Sequence, residues 1–306
     1  IYDLASLTKI IASVPSLMYL EENGQMHLDS TLQHFISLAD TSNKKNLTIR
    51  EILAHQSGLA SWIPFYKETL KEDGSLRDTL YSTVYSDTFS VKVADDIFLH
   101  KSYPDSIMDR IMGTKLNPKT YKYSDLGFYI FKEIIEYKTN LAFQDFVSQQ
   151  FYSPLGLNTM GFLPKTRFDN SRIVPTEFDY YFRSQLLQGD VHDMGAAMLG
   201  GVSGHAGLFS NANDLGIFMQ MLLQKGYYGG ERYFQNFTVN QFTKCQFCKD
   251  ENRRGAGFDK AVLEGQEGGP ACDCSPSSKA FGHSGFTGTL VWADPDEQFV
   301  LSLIHI

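Results

Sequence analysis

Two features of the sequence predict an α+β fold. Segments with apolar residues at helical spacing recur as far as about residue 224, and three strand-like runs gather at the C-terminal end. Ile10, Ile11, Val14, Leu17, Met18 and Leu20 repeat at helical spacing before Asn23-Gly24, which predicts a first helix from about Ser6 to Glu22. A second helix follows Thr48, because Glu51 stands three residues on at the capping-box spacing; it ends near His55, before Gly58. The stretch from Ser61 to about Asn117 mixes helical patches with aromatic and charged residues and has no clear period. It reads as a helical lobe with long connections. Leu126, Tyr129, Ile130 and Ile134 predict a helix to about Tyr137, and another runs from Ala142 to Phe151. A glycine-dense turn from Gly200 to Gly207 leads through Asn213-Asp214 to a helix from about Leu215 to Gln224. The strand candidates are Ala280 to His283, Thr289 to Ala293 and Phe299 to Ile304, the last two joined through Asp294-Pro295-Asp296. An antiparallel sheet at the end of a mostly helical chain, without internal repeats, is the expectation.

Composition narrows the function classes. The 306 residues are 42% hydrophobic and 20% charged, enough for a sizeable core in a globular chain. Twenty-seven basic against 35 acidic side chains give a net charge of −8, leaving no basic surplus for a phosphate backbone, so nucleic acid is not an expected partner. The longest apolar stretch, Ile10 to Leu20, is broken by Ser13, Pro15 and Ser16 and falls short of the roughly 18 to 20 residues that span a bilayer. The chain enters a helical pattern within six residues, without an initiator Met or a leader, and ends on a strand with no polar tail. It reads as one domain over 1–306, cut at the N-terminus and at the C-terminus. Four cysteines, Cys245-x-x-Cys248 and Cys272-x-Cys274, lie in a glycine-rich excursion, where a zinc site, two crosswise disulfides and free thiols are all open readings. Asn46-Leu-Thr48 and Asn236-Phe-Thr238 match glycosylation sequons and read as chance matches.

The chemistry-bearing motif is Ser6-x-x-Lys9. A spacing of three on a helix puts hydroxyl and ammonium on one face, and a serine hydroxyl needs such a neighbour to act as a nucleophile. Tyr123-Ser124-Asp125 and His283-Ser284-Gly285 follow in order. In these three motifs the chain resembles the serine β-lactamase and penicillin-binding-protein superfamily, nearest to class C β-lactamase-like esterases and D-alanyl peptidases, whose motifs run S-x-x-K, Y-x-N, then K-T-G or H-x-G. Leu53-Ala-His55-Gln-Ser57-Gly58-Leu59 and Gly204-His205-Ala206-Gly207-Leu208-Phe209-Ser210 look like further family segments. The stretch from Val191-His192-Asp193 to Ser210 is similar to members fused behind glycoside hydrolase family 3 domains.

The resemblance implies a β-lactamase/transpeptidase-like fold, with an antiparallel sheet flanked by helices, a helical lobe, and leading strands that this chain lacks. It implies Ser6 as the acylated nucleophile, Lys9 as its proton partner, Tyr123 as a second base, and the backbone N–H groups of Ser6 and Phe286 as an oxyanion hole. Asp125, His283, Ser284, Gly285, Phe286 and His205 are the implied substrate-binding residues, with no metal and no cofactor. The implied substrate is a small molecule or a peptidoglycan-type fragment, in a periplasmic or extracellular setting, with a glycoside hydrolase domain fused upstream.

Two departures from the pattern matter. Asp125 replaces the usual Asn, and an ionised carboxylate accepts hydrogen bonds but donates none, which disfavours a penicillin. A carboxylate near Lys9 would hold the lysine protonated and leave Tyr123 as the base. His283 stands where many relatives carry Lys; at the mouth of the site it would change charge near pH 6 to 7 and bind a substrate carboxylate weakly. His55, Ser57 and Gly58 read as structural. The alternative to a hydrolase is a non-catalytic module that binds a peptidoglycan or glycan fragment, but such a module has no need of Ser6, Lys9 and Tyr123.

Overall fold

A computed structural model describes residues 1–36, 42–263, 265 and 277–304. Chain entry is a short strand, β1 (Tyr2–Asp3), followed by a buried π-turn at Lys9–Ser13 and helix α1 (Val14–Glu22). The expected first helix is therefore present, but its first turns are wound wide. Ser13 Oγ donates to the Gly204 carbonyl at 2.7 Å from within that turn. Helix α2 (Ile49–Leu53) opens with the anticipated capping box: Glu51 N–H donates to Thr48 Oγ1 at 3.1 Å, and Thr48 N–H to the Glu51 carboxylate at 3.0 Å. His55 and Gly58 then turn the chain with φ of 56° and 76°. A Cβ at Gly58 would overlap the Asn117 carbonyl, so close backbone approach and positive φ both require glycine there.

The segment after Ser61 corrects the expectation of a helical lobe with long connections. It holds a three-stranded antiparallel sheet of β2 (Tyr81–Ser82), β3 (Val91–Ala94) and β4 (Ile97–Leu99) in the order β2-β4-β3, and only then helix α3 (Tyr103–Gly113). The strands are two to four residues long, too short to impose a two-residue period on the sequence. Helix α4 (Leu126–Thr139) buries Phe128, Ile130, Phe131, Ile134 and Ile135 completely and ends on Asn140 in the left-handed conformation. Each such side chain contributes roughly 1.5 to 3 kcal/mol by leaving water, and Phe131→Ala would cost about 3 to 5 kcal/mol. Helix α5 (Phe143–Val147) passes into a second π-turn at Ser148–Tyr152.

The remainder builds the site wall and the main sheet. Hairpin β5 (Glu177–Asp179) and β6 (Gln185–Leu187) precedes a short helix, α6 (Met194–Ala197), and strand β7 (Phe209–Ser210), which pairs antiparallel with β1. Helix α7 (Ala212–Leu223) begins earlier than the sequence predicts because Asn211 is its cap, accepting from Asp214 N–H. Hairpin β8 (Tyr227–Tyr228) and β9 (Glu231–Arg232), helix α8 (Asn236–Thr243) and strand β10 (Asp259–Lys260) were not anticipated. Strands β11 (Phe281–Ser284), β12 (Leu290–Asp294) and β13 (Phe299–Leu303) fall where the sequence predicts them. With β10 they form one antiparallel sheet in the order β10-β11-β12-β13, with His283 opposite Val291. Helix α7 packs across β12 and β13, and α1 contacts both α4 and α8.

Cys245 and Cys248 are joined to each other as a disulfide, which corrects both the zinc and the crosswise readings for that pair. Cys272 and Cys274 lie outside the described residues. Among the described residues no helix is long and apolar enough to cross a membrane.

Candidate active site

The turn that carries Ser6 is held from both sides. Ala5 adopts φ 45°, an unfavourable backbone conformation for a residue with a Cβ, and its N–H donates to Asp3 Oδ1 at 2.8 Å. The second oxygen of Asp3 accepts from His192 N–H at 2.7 Å, so one buried carboxylate ties the Ser6 turn to the 192–193 wall. Thr8 Oγ1 donates to the Ala5 carbonyl and accepts from Leu208 N–H, anchoring the same turn to the β7 side.

Ser6 Oγ accepts from Lys9 Nζ at 2.9 Å and from Tyr123 OH at 3.0 Å. Lys9 is fully buried; its ammonium ion-pairs with Asp125 at 2.7 Å, donates to the His205 carbonyl at 3.2 Å and lies 5.1 Å from the Tyr123 ring centroid. Burial pulls the Lys9 pKa down, and the Asp125 charge together with Tyr123 more than offsets it, so the net shift is upward. Lys9 is an ammonium at neutral pH, the outcome expected of a carboxylate beside it. Tyr123 sits on a loop pinned by His55, whose carbonyl accepts from Lys122 N–H at 2.9 Å and whose Nδ1 accepts from Ser124 N–H at 3.1 Å. That confirms the structural reading of His55.

These groups open onto a cavity of about 350 Å³ whose walls include Ser6, Trp62, Tyr123, Asp125, Tyr129, Asp193, Gly195, His205 and Phe286. His205 lines it as anticipated; its Nε2 bonds Asp193 Oδ1 at 2.8 Å, its Nδ1 faces Ser203 Oγ at 2.8 Å, and its ring stacks on Tyr129 with centroids 4.2 Å apart. Phe286 is 83% exposed and stacks on His192, which in turn pairs with Glu177 at 2.8 Å. Beyond that stacked pair lies a second cavity of about 420 Å³, bounded by Tyr2, Val174, Thr176 and Thr287.

The third motif behaves differently from its anticipated role. His283 is 3% exposed and does not reach the cavity, which corrects its placement at the mouth of the site. Its ring lies 5.8 Å from that of Tyr123, and Nδ1 bonds the Ser284 carbonyl at 2.7 Å. Burial, with Arg254 and Lys9 nearby, pulls its pKa down to about 3, so it is neutral where a charge change was expected. Ser284 and Gly285 do not line the cavity either; Gly285 N–H donates to the Thr289 carbonyl at 2.7 Å, and a Cβ there would overlap Thr289 and the Leu4 carbonyl.

Four residues escaped the sequence reading. Asp193 caps α6 by accepting from Ala196 N–H at 2.7 Å. Burial opposes its charge, but His205, that N–H and Lys9 together hold its carboxyl well below the usual range. In the sequence Tyr129 marks only a helix position, and Trp62 lies in the segment without a period. Arg254, 6% exposed, bonds Tyr121 OH through Nε and Nη2, reaches Asp259 at 3.5 Å and stands 5.5 Å from the Tyr123 ring. The cap spacing Asp193 to Ala196 was a usable signal for one of these; nothing local marks Arg254.

The sequence matches the Beta-lactamase family over residues 1–305. It is 30% identical over 322 residues to the "Putative D-alanyl-D-alanine carboxypeptidase" of Escherichia coli (strain K12), covering 99% of this chain and 68% of that protein. It is 31% identical over 327 residues to the N-acetylmuramyl-L-alanine amidase of Bacillus subtilis (strain 168), covering 99% and 67%. The fold also matches a D-stereospecific amidohydrolase from Streptomyces sp. with a TM-score of 0.63 at 18% identity, over 98% of this chain and 80% of that one. The sheet, the helices packed on it and the matched sequence agree: the chain belongs to the beta-lactamase family.

Proposed function

We propose that this serine hydrolase, which acts on amide or ester bonds, works through an acyl-enzyme on Ser6. The observation that carries the reading is the pair of donors on Ser6 Oγ, Lys9 Nζ at 2.9 Å and Tyr123 OH at 3.0 Å, beside an open cavity. In acylation Ser6 Oγ bonds the substrate carbonyl carbon and its proton passes to the Tyr123 oxygen, while the proton of Tyr123 goes to the departing amine or alkoxide. Lys9 stays protonated throughout. It holds Ser6 and Tyr123 in place and favours the negative charge that develops between them. Among the described residues neither Ser6 N–H nor Phe286 N–H donates a hydrogen bond, which leaves both for the tetrahedral oxyanion. Water then attacks the acyl carbon by the reverse relay.

The substrate class that relatives support is a small or peptidoglycan-type amide or ester, since the matched proteins carry carboxypeptidase and amidase names. Asp125 has no N–H to offer a penicillin side chain, so short esters should be turned over faster than lactams. A fluorophosphonate probe should add one adduct to the Ser6 peptide by intact mass, and Ser6→Ala should remove it along with at least about 1,000-fold of kcat. An adduct that persists in the alanine variant sinks the assignment.

A further inference from the structure

The cavity beside Ser6 has a one-sided polar floor. Asp125 pairs with Lys9 through Oδ1, and its other oxygen has no partner among the described residues. Asp193 commits Oδ1 to His205 and Ala196 N–H, leaving Oδ2 in the same condition with the side chain 35% exposed. Between these carboxylates lies Tyr129, 4% exposed, whose hydroxyl makes no hydrogen bond among the described residues although it borders the cavity. Both aspartates act electrostatically on that hydroxyl. Gly195 makes room for it, since a Cβ there would overlap the Tyr129 oxygen. The ring is buried while the oxygen opens onto the cavity, where a ligand can pair with it.

We propose that this floor is a subsite for a protonated amine on the acyl portion of the substrate; the proposal rests on the acyl-enzyme reading of Ser6. Three acceptors, Asp125 Oδ2, Asp193 Oδ2 and Tyr129 OH, match the three N–H bonds of a primary ammonium. A neutral hydroxylated group has one proton per oxygen and would leave acceptors unmatched. No lysine or arginine lines the cavity; Lys9 offsets one of the two negative charges through its pair with Asp125, which leaves the Asp193 carboxylate, bonded to His205, as the remaining one. His192 is paired with Glu177, outside the floor. Trp62, Phe65, Tyr66 and Tyr129 complete the wall with aromatic side chains. A carboxylate on the acyl side would meet the outward oxygens of Asp125 and Asp193 and find no proton to accept from either.

The test compares p-nitroanilides that differ only in the acyl substituent: D-alanyl and L-alanyl against propanoyl and lactoyl, with 6-aminohexanoyl against hexanoyl for a more distant amine. At pH 7 at least one amino compound should exceed its neutral partner in kcat/KM by about tenfold, the worth of one charge-assisted hydrogen bond. Asp193→Asn, which can still cap α6, should bring that ratio toward one, and Tyr129→Phe should lower it about threefold. Equal rates for all acyl groups, or a lactoyl preference, overturn the subsite. So does an amine preference that survives both variants. The fluorophosphonate adduct on Ser6, measured in the same preparations, separates the two claims: an adduct with no amine preference removes only this inference, and its absence removes the acyl-enzyme reading beneath it.

Discussion

Two clusters of ionisable groups flank Tyr123, and the fold treats them in opposite ways. On the cavity side Asp125 and Asp193 keep an oxygen toward open space. On the far side His55, His283 and Arg254 are 1%, 3% and 6% exposed. Burial holds both histidines neutral, with Arg254 adding to the effect, while His205, Lys9 and backbone donors keep Asp193 charged in spite of its own burial. The difference teaches that a motif histidine need not face the substrate to belong to a site. In this protein the third motif shapes the back of Tyr123, and the charges that line the cavity come from Asp125 of the second motif and from Asp193, outside all three.

The sharpest way to break the contrast is to remove the buried cation. Arg254→Met should leave Asp259 with less positive charge around it and cost about 3 kcal/mol in urea unfolding, the usual penalty for breaking a buried pair. A loss under about 0.5 kcal/mol would mean that Arg254 behaves as a surface residue.

The next test uses pH. His283 falls from an ordinary value of 6.5 to about 3 in the folded chain, and His55 is lowered as well. The unfolded chain therefore binds protons that the native site refuses. This contribution to stability is whole above pH 6.5 and is lost as pH falls from there toward 3. The urea midpoint should drop between pH 7 and pH 4.5, and His283→Gln should make the drop shallower. The same variant should leave the shape of kcat/KM between pH 5 and 8 unchanged, because the histidine does not titrate in that window. A His283-dependent limb near pH 6.5 would return the residue to the mouth of the site.

The smallest expected effect is at Asp125. Asp125→Asn supplies the missing N–H and removes the carboxylate that raises the Lys9 pKa, leaving only Tyr123 to oppose burial. The ratio of nitrocefin to p-nitrophenyl butyrate turnover should rise by about tenfold, the worth of one hydrogen bond to a buried acceptor. An unchanged ratio would show that Asp125 plays no part in excluding lactams.

The Ser6 to Lys9 spacing, the capping box at Thr48 and the three C-terminal strands were legible in the sequence because each depends on neighbours within a few positions. A helix turn, a cap and a strand alternation are local, and their periods survive in a linear string. The second π-turn, the short sheet inside the expected helical lobe and helix α8 left no such period. The proximity of Lys9 and Asp125 could be stated only as a condition, since 116 positions of chain separate them. Which residues form the cavity floor, and which way His283 faces, were decided by tertiary packing alone. Charge and exposure at a site are set by everything within a few ångströms, and for Tyr129, Asp193, Arg254 and His283 those neighbours come from distant parts of the chain.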